Sequence, residues 1–188
     1  MTQLGVQLTE FVKSIRRFCQ DLASLLGTVD LLMSEQGWVG ATPQNIVSAN
    51  TSAAIGRPED WFPHDLFRVY RHAAKPHVFC SVSALLDPIE LPAELTEPLL
   101  TTCIFDYGKP ITFANGWKSW YSQFHGYVPS RSDDGTWHEK TPATWPDDKT
   151  QYPFERVLTR GLPLAEVSDA GVIEKNIVQP LLQRLGDL

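Results

Sequence analysis

Apolar residues recur at alternating intervals of four and three along residues 4–33, and this repeat constrains the fold of the chain more than any other feature. Such spacing places the side chains along one side of an α-helix. A third apolar position in each heptad makes the stripe wider than the seam of a two-stranded coiled coil and matches a helix that lies on a globular core. The repeat therefore predicts one long helix over about residues 7–36. Its stripe consists of Leu4, Leu8, Phe11, Ile15, Phe18, Leu22, Leu25, Val29 and Leu32, with Val12, Cys19, Leu26 and Met33 as the third positions.

This stripe needs a surface that covers its apolar side chains, and a sheet of the same chain is the first expectation. We expect the part of the stripe from Phe11 to Leu25 to be buried against that sheet. Gly37 is a natural end for the helix, because glycine adopts the positive φ with which many helices terminate. A dimer in which this helix pairs with a second copy is the alternative interpretation.

After the helix the apolar period changes to two, which is the period of a β-strand. Alternation of this kind occurs over residues 66–72, 77–86, 98–107 and 154–167. In the second of these segments Val78, Cys80, Val82 and Ala84 share one face, while Phe79, Ser81 and Ser83 fall on the other. A small apolar face opposite a mixed face indicates an antiparallel sheet that is covered on one side.

Helical spacing returns after residue 167. Ser168 or Asp169 is placed to cap this last helix, and Pro180 should kink it or split it in two, because proline lacks the N–H that an interior helical position requires. The order of the elements predicts an α+β fold: a single antiparallel sheet of about four or more strands, with the long N-terminal helix and the C-terminal helix packed on one face.

Length, charge and cysteine content narrow the classes of function. A chain of 188 residues fits one domain, so we expect residues 1–188 to form a single α+β domain. The net charge of −6 argues against general affinity for nucleic acid, which depends on a basic surface. No apolar run approaches the roughly 20 residues of a membrane span. The three cysteines are odd in number and include no Cys-x-x-Cys pair, which indicates buried, reduced thiols and a cytoplasmic location.

A long polar segment at about residues 126–153 follows neither period and is expected to be an irregular loop. Loops of this length are often functional. It contains His138 and Glu139, with Asp133 and Asp134 nearby, and these side chains suit a general base and a site for a hard metal. They also fit a solvated turn, because Asp-Asp-Gly is ordinary turn chemistry. The sequence motifs of common nucleotide enzymes, hydrolases and zinc proteases are missing.

Tryptophan is abundant, with six residues in the chain. Its ring offers a flat apolar face and one hydrogen-bond donor, which suits a ligand pocket or a partner surface. Trp137 and Trp145 lie in the loop, and Trp117, Trp120 and Tyr121 lie in the stretch 115–125, which fits either a helix or part of a hairpin. These residues are the candidates for binding a ligand or partner. The structural alternative is that the rings anchor irregular segments on the sheet.

Two functions are therefore open. The first is a small cytoplasmic binding or adaptor module that holds a protein partner or a small ligand through the aromatic-rich loop face, as a monomer or homodimer. The alternative is a hydrolase in which His138, Glu139 and nearby aspartates act, with or without a metal. The sequence identifies neither the ligand nor a cofactor, and it predicts no nucleic-acid or membrane partner.

Overall fold

The structure of the protein is a computed structural model, and it describes residues 2–41, 47–49, 63, 65–86, 97–111, 135–141 and 154–188. The stretch 115–125 lies outside these residues, as does most of the predicted loop at 126–153. Within the described ranges the chain forms an antiparallel sheet of seven strands, with helices near both ends of the sequence. The predicted α+β fold class is confirmed.

The N-terminal helix, α1 (Gln3–Glu35), is one continuous helix of 33 residues. It begins before the predicted start at about residue 7, because the Thr2 side chain caps it by accepting a hydrogen bond from the Gly5 N–H at 3.2 Å. Gly37 follows its end as predicted, with a φ of 78°. A methyl group on Gly37 would lie 2.7 Å from Nε2 of His72, so this position needs glycine for space as well as for conformation. No helix in the described ranges is both long and apolar enough to cross a membrane.

All the strands pair in antiparallel fashion, and the described strands are β1 (Trp38–Gly40), β2 (Val47–Ala49), β3 (Asp65–His72), β4 (Val78–Leu85), β5 (Leu99–Asp106), β6 (His138–Lys140) and β7 (Arg156–Pro163). Their spatial order is β1-β3-β4-β5-β7-β6, and β2 pairs with the other end of β3. The four strands predicted from alternation correspond to β3, β4, β5 and β7. The remaining strands have three residues each, too few for a period to show in the sequence.

The register of the ladder separates two faces of the sheet. The first, named the helix face here, carries Val78, Cys80, Val82 and Ala84, which the alternation placed together, and these side chains pack in one cluster with α1 and the C-terminal helical segment. The second, named the opposite face, holds another cluster around Phe79. All eight residues of β4 and of β5 are buried, so both faces are shielded from solvent at the centre of the sheet.

The C-terminal segment begins with α2 (Ala170–Ile173), and Asp169 caps it. The Asp169 carboxylate accepts a hydrogen bond from the Val172 N–H at 3.0 Å, and this bond lowers the pKa of Asp169. A π-turn (Glu174–Val178) then leads into α3 (Gln179–Gly186). The predicted cap is confirmed.

Pro180 follows the π-turn between α2 and α3. It has no N–H to donate to the carbonyl of Asn176, four residues earlier. That carbonyl accepts a hydrogen bond from the Arg160 guanidinium of β7. The helical run is continuous from residue 170 to residue 186, so Pro180 does not split it, and the irregularity is the π-turn that precedes Pro180. The Asn176 carbonyl, which Pro180 leaves without its helical donor, attaches the helix to the sheet.

An ion pair on the helix face ties α1 to β3. The Arg68 Nε donates to both carboxylate oxygens of Asp30, at 3.0 and 3.1 Å, and Nη2 donates to one of them at 2.8 Å. The Tyr70 hydroxyl donates to the same carboxylate at 2.8 Å. The hydrogen bond to Asp30 raises the pKa of Arg68, and burial, with the neighbouring carboxylate, raises the pKa of Tyr70. The Arg68 side chain is 9% exposed and the Asp30 side chain is 37% exposed, so solvent screens the pair from the carboxylate side.

The first half of α1 extends beyond the sheet, so the expectation of a buried stripe from Phe11 to Leu25 is wrong for its N-terminal part. Leu22 and Leu25 are buried, Ile15 and Phe18 are half-buried, and Phe11 is 63% exposed. The reason is length. The helix spans about 50 Å, whereas an eight-residue strand spans about 27 Å.

The division of α1 into a packed and an overhanging half predicts unequal effects of truncation. Leu22→Ala should lower the free energy of unfolding by about 2–5 kcal/mol, because Leu22 is 4% exposed and leaves a cavity in the core. Leu31→Ala, on the same helix but 60% exposed, should lower it by less than about 0.5 kcal/mol. Urea denaturation followed by circular dichroism measures both. Equal losses would show that the helix does not pack through the Leu22 side.

Tyr70 predicts a loss of stability at alkaline pH. Burial keeps the phenol neutral in the folded chain, so its pKa there lies above the unfolded value of about 10. The unfolded chain alone releases this proton as the pH rises past that value, and the free energy of unfolding should then fall by up to about 1.4 kcal/mol for each pH unit. Urea denaturation across this pH range measures the decline. Tyr70→Phe should flatten it, and an unchanged slope in the variant would contradict this assignment.

Candidate functional site

The part of the predicted loop that the structure describes, residues 135–141, contains the edge strand β6 and the residues that lead into it. Gly135 has a φ of 71°, and its N–H donates to the Gly161 carbonyl of β7 at 3.0 Å. This positive φ suits the turn that the sequence Asp-Asp-Gly predicts. Strand β6 then pairs with β7 in a register that places His138 opposite Thr159. The sheet therefore extends into the segment that the sequence alone presented as loop.

The candidate catalytic residues His138 and Glu139 point to different faces of the sheet, because consecutive side chains of a strand alternate. Glu139 lies on the helix face, where its carboxylate is 3.6 Å from the Arg184 guanidinium of α3. His138 lies on the opposite face, and its Nε2 is 2.9 Å from the Thr136 hydroxyl. The structure does not bring these two side chains together in one site.

Of the candidate binding residues, the structure describes Trp137. It is half-buried and packs against the core cluster of the helix face, so it anchors β6 to the layer of helices. Outside the described residues lie Trp117, Trp120, Tyr121, Trp145, Asp133 and Asp134. In the ranges that the structure covers, no three His, Cys, Asp or Glu side chains are grouped to hold a metal ion.

A patch of small residues, most of them polar, occupies the centre of the opposite face. This polar patch consists of Ser81, Ser83, Thr101, Cys103, Thr159 and Gly161. The residues are consecutive partners across β4, β5 and β7, so their side chains lie side by side in two rows of three. His138 extends one of these rows by a position, since it pairs with Thr159. The structure thus joins one predicted site residue to a site that the sequence did not reveal.

The hydroxyls of the polar patch are buried without compensation in the described ranges. The side chains of Ser81, Ser83, Thr101 and Thr159 are at most 2% exposed, and their oxygens have no hydrogen-bond partner among the described residues. A buried hydroxyl in this state costs about 1–3 kcal/mol. Proteins retain such groups where a bound water or a ligand satisfies them. The polar patch is therefore the candidate functional site.

Large apolar side chains frame the polar patch. Most of them are bulkier than serine, threonine or glycine, so the small polar side chains are bordered by large apolar ones. The frame consists of Phe67, Val69, Phe79, Leu85, Leu99, Phe105, Val157 and Pro163. Small-molecule sites usually have a mostly apolar lining and a few polar groups that fix the orientation of the ligand, and the polar patch with its frame has this composition.

The sequence contained a signal for this patch, but only in part. Alternation over 77–86 placed Ser81 and Ser83 on the mixed face of one strand. Their meeting with Thr101 and Thr159 depends on the pairing register, and the hydroxyls therefore remained scattered in the sequence. The sequence likewise predicted Cys103 to be a buried thiol, but it did not show that Cys103 lies between Ser81 and Thr159 in the sheet.

A second concave feature lies on the helix face, between α1 and the chain that follows β7. It is a cavity of about 570 Å³ with an apolar lining that includes Phe18, Leu22 and Leu25 of α1. The carboxylates of Asp21, Glu97 and Asp169 also line it, and its described lining contains no basic side chain.

No protein-family model, curated protein or solved structure matches the chain. The functional assignment therefore follows from the geometry of the described residues.

The cysteines offer a chemical test of which faces are covered. Cys19 is exposed on α1, which corrects the expectation that all three thiols are buried. Cys80 is fully buried on the helix face, and Cys103 is fully buried on the opposite face. Burial raises the pKa of the Cys80 thiol. We expect a thiol reagent to label Cys19 quickly and the other two only as the protein unfolds. Intact-mass spectrometry over time counts the labels.

Cys19→Ser serves as the control for this labelling and should remove the fast phase entirely. A second fast label in the native protein would show that one sheet face is open to solvent.

Proposed function

We propose that the protein is a binding module that holds a small, uncharged ligand against the polar patch. The observation that carries this proposal is the set of four buried hydroxyls without a partner among the described residues. A ligand with hydrogen-bonding groups and an apolar portion would satisfy the hydroxyls and fill the surrounding frame. Of the aromatic residues predicted from the sequence, Trp137 packs on the helix face, and Trp117, Trp120, Tyr121 and Trp145 are kept in the proposal as further contacts for the ligand.

The charges near the sheet favour a neutral ligand. The buried charged side chains in the described ranges are Arg68 and Asp106, and both lie on the helix face. The buried groups of the opposite face are hydroxyls, a thiol, a phenol and apolar side chains. An ion placed there would lose its hydration without a counter-charge from these residues. Alcohols, sugars and amides that carry an apolar group fit this chemistry.

His138 marks the side from which a ligand would enter. It is half-buried, and it lies at the outer end of the row that contains Thr159 and Cys103. Strand β6 has three residues, and short edge elements with few contacts open most easily. Displacement of this strand would expose the row without disturbing the centre of the sheet.

We place this module in the cytoplasm. The odd number of cysteines and the lack of a Cys-x-x-Cys pair in the sequence support a reducing compartment. The net charge of −6 supports a partner other than nucleic acid.

A hydrolase is the second candidate, and one observation favours it. His138 and Thr159 are direct partners across β6 and β7, so an imidazole lies beside a hydroxyl that could serve as a nucleophile. Glu139 would not share this site, because it faces the helices. His138→Gln should abolish hydrolysis of ester or amide substrates in this case, whereas a pure binding module would show no hydrolysis to lose.

Removing one hydroxyl from the polar patch separates binding from ordinary packing. Thr101→Val keeps the shape of the side chain, so it should raise the unfolding free energy of the ligand-free protein by about 1–3 kcal/mol. It should also weaken capture of neutral small molecules by at least about tenfold, the loss of roughly one hydrogen bond. Native mass spectrometry of the purified protein detects a retained ligand, and thermal shift with a panel of neutral compounds measures new binding.

Thr102→Val is the matched control for Thr101→Val. Thr102 is the neighbouring residue and is equally buried, but it lies on the helix face, where its hydroxyl is 3.5 Å from the Arg160 carbonyl. This change should leave ligand capture intact. The proposal fails if the parent and the Thr102→Val variant bind no neutral compound and Thr101→Val is less stable than the parent. The polar patch is then ordinary core.

A further inference from the structure

The overhanging half of α1, residues 3–17, exposes an apolar stripe. Leu4, Leu8 and Phe11 are 64, 56 and 63% exposed, and Val12 beside them is 46% exposed. The stripe keeps the four-and-three spacing of a helix that packs on another helix. It also runs directly into Phe18, which lines the cavity on the helix face. The overhang therefore presents a continuous apolar surface that ends in a groove.

The charged residues of this half lie away from the stripe. Glu10, Lys13, Arg16 and Arg17 occupy the other sides of the helix, and Glu10 pairs with Lys13 at 2.8 Å. The positions that flank the stripe are uncharged: Gly5, Gln7, Val12, Ser14 and Cys19. A face without charges can meet a copy of itself with no like charges in contact, which a two-fold interface requires. The stripe itself offers no charge to attract a strongly acidic or basic partner, and the carboxylates that line the cavity lie beyond its end.

We propose that a second copy of the chain covers this stripe, through an antiparallel pair of α1 helices that cross near Phe11. In this arrangement Leu4 of each copy approaches Phe18 of its partner, and the helix start reaches the cavity beside it. The rest of the two chains then lies at opposite ends of the pair. This dimer surface is separate from the polar patch, so it goes beyond the proposed ligand binding and the two proposals fail independently.

The antiparallel direction follows from how α1 packs in its own chain. The same side of the helix that carries the exposed stripe is buried against the sheet from Leu22 onward. A parallel partner would run toward that sheet, and both chains would then need the same space beyond Phe18. An antiparallel partner runs the other way and meets only the groove. It also keeps the basic residues Arg16 and Arg17 of the two copies at opposite ends of the contact.

Light scattering coupled to size exclusion tests the dimer on the full-length chain. The parent should elute with twice the chain mass of 21.1 kDa, and Phe11→Arg should elute with the single mass. Leu31→Arg is the matched control, because Leu31 is 60% exposed on the same helix but outside the stripe, and this variant should remain dimeric. Circular dichroism should show unchanged helix content in both variants. A parent that is monomeric at every concentration overturns the proposal, and so does a dimer that persists in Phe11→Arg.

Disulfide trapping tests the direction of the pair. In a Cys19→Ser background, Phe11→Cys should form a covalent dimer on mild oxidation, because the two positions 11 meet at the crossing. The native Cys19 thiols should not join each other, since sixteen residues of helix separate them by about 24 Å in the antiparallel pair. A Cys19–Cys19 disulfide formed in the native dimer would overturn the antiparallel arrangement.

Discussion

The Asp30 carboxylate fixes α1 on the sheet by accepting hydrogen bonds from Arg68 and Tyr70. The apolar stripe of α1 repeats every heptad, so packing alone would be nearly as good if the helix moved along its own axis by two turns. The ion pair is satisfied in one position only. That position decides which part of the stripe is buried, how far the helix overhangs, and where the cavity beside Phe18 lies.

Local spacing was sufficient to predict the helices, the four long strands and the α+β class, because each of these follows from a period within a short segment. It could not predict that Phe11 is exposed while Leu22 is buried. Both residues belong to one stripe, and they differ only in whether a sheet lies beneath them. The polar patch escaped prediction for a related reason. Ser83, Thr101 and Gly161 are distant in the sequence and meet through the register of the strands.

The two faces of the sheet differ in whether their buried polar side chains have hydrogen-bond or ion-pair partners. On the helix face Arg68 binds Asp30, Asp106 binds Arg156 at 3.0 Å, and Arg160 donates to the carbonyls of Gly135 and Asn176. Desolvation lowers the pKa of Arg160, and these carbonyls compensate for part of that burial. On the opposite face the hydroxyls lack such partners among the described residues. Proteins tolerate a local loss of stability where binding requires it, and this contrast between the two faces is what supports the proposed ligand site on the opposite face.

Strand β7 lies between β5 and β6, although it follows β6 in the chain. During synthesis β6 therefore emerges before the strand with which it pairs. Its ladder with β7 covers three residues, whereas β5 and β7 pair over eight. The segment that bears His138 is therefore held to the sheet by a shorter ladder than those that join β3, β4, β5 and β7. Local opening of β6 would therefore expose the Thr159 end of the polar patch to solvent or ligand while β3, β4 and β5 stay folded.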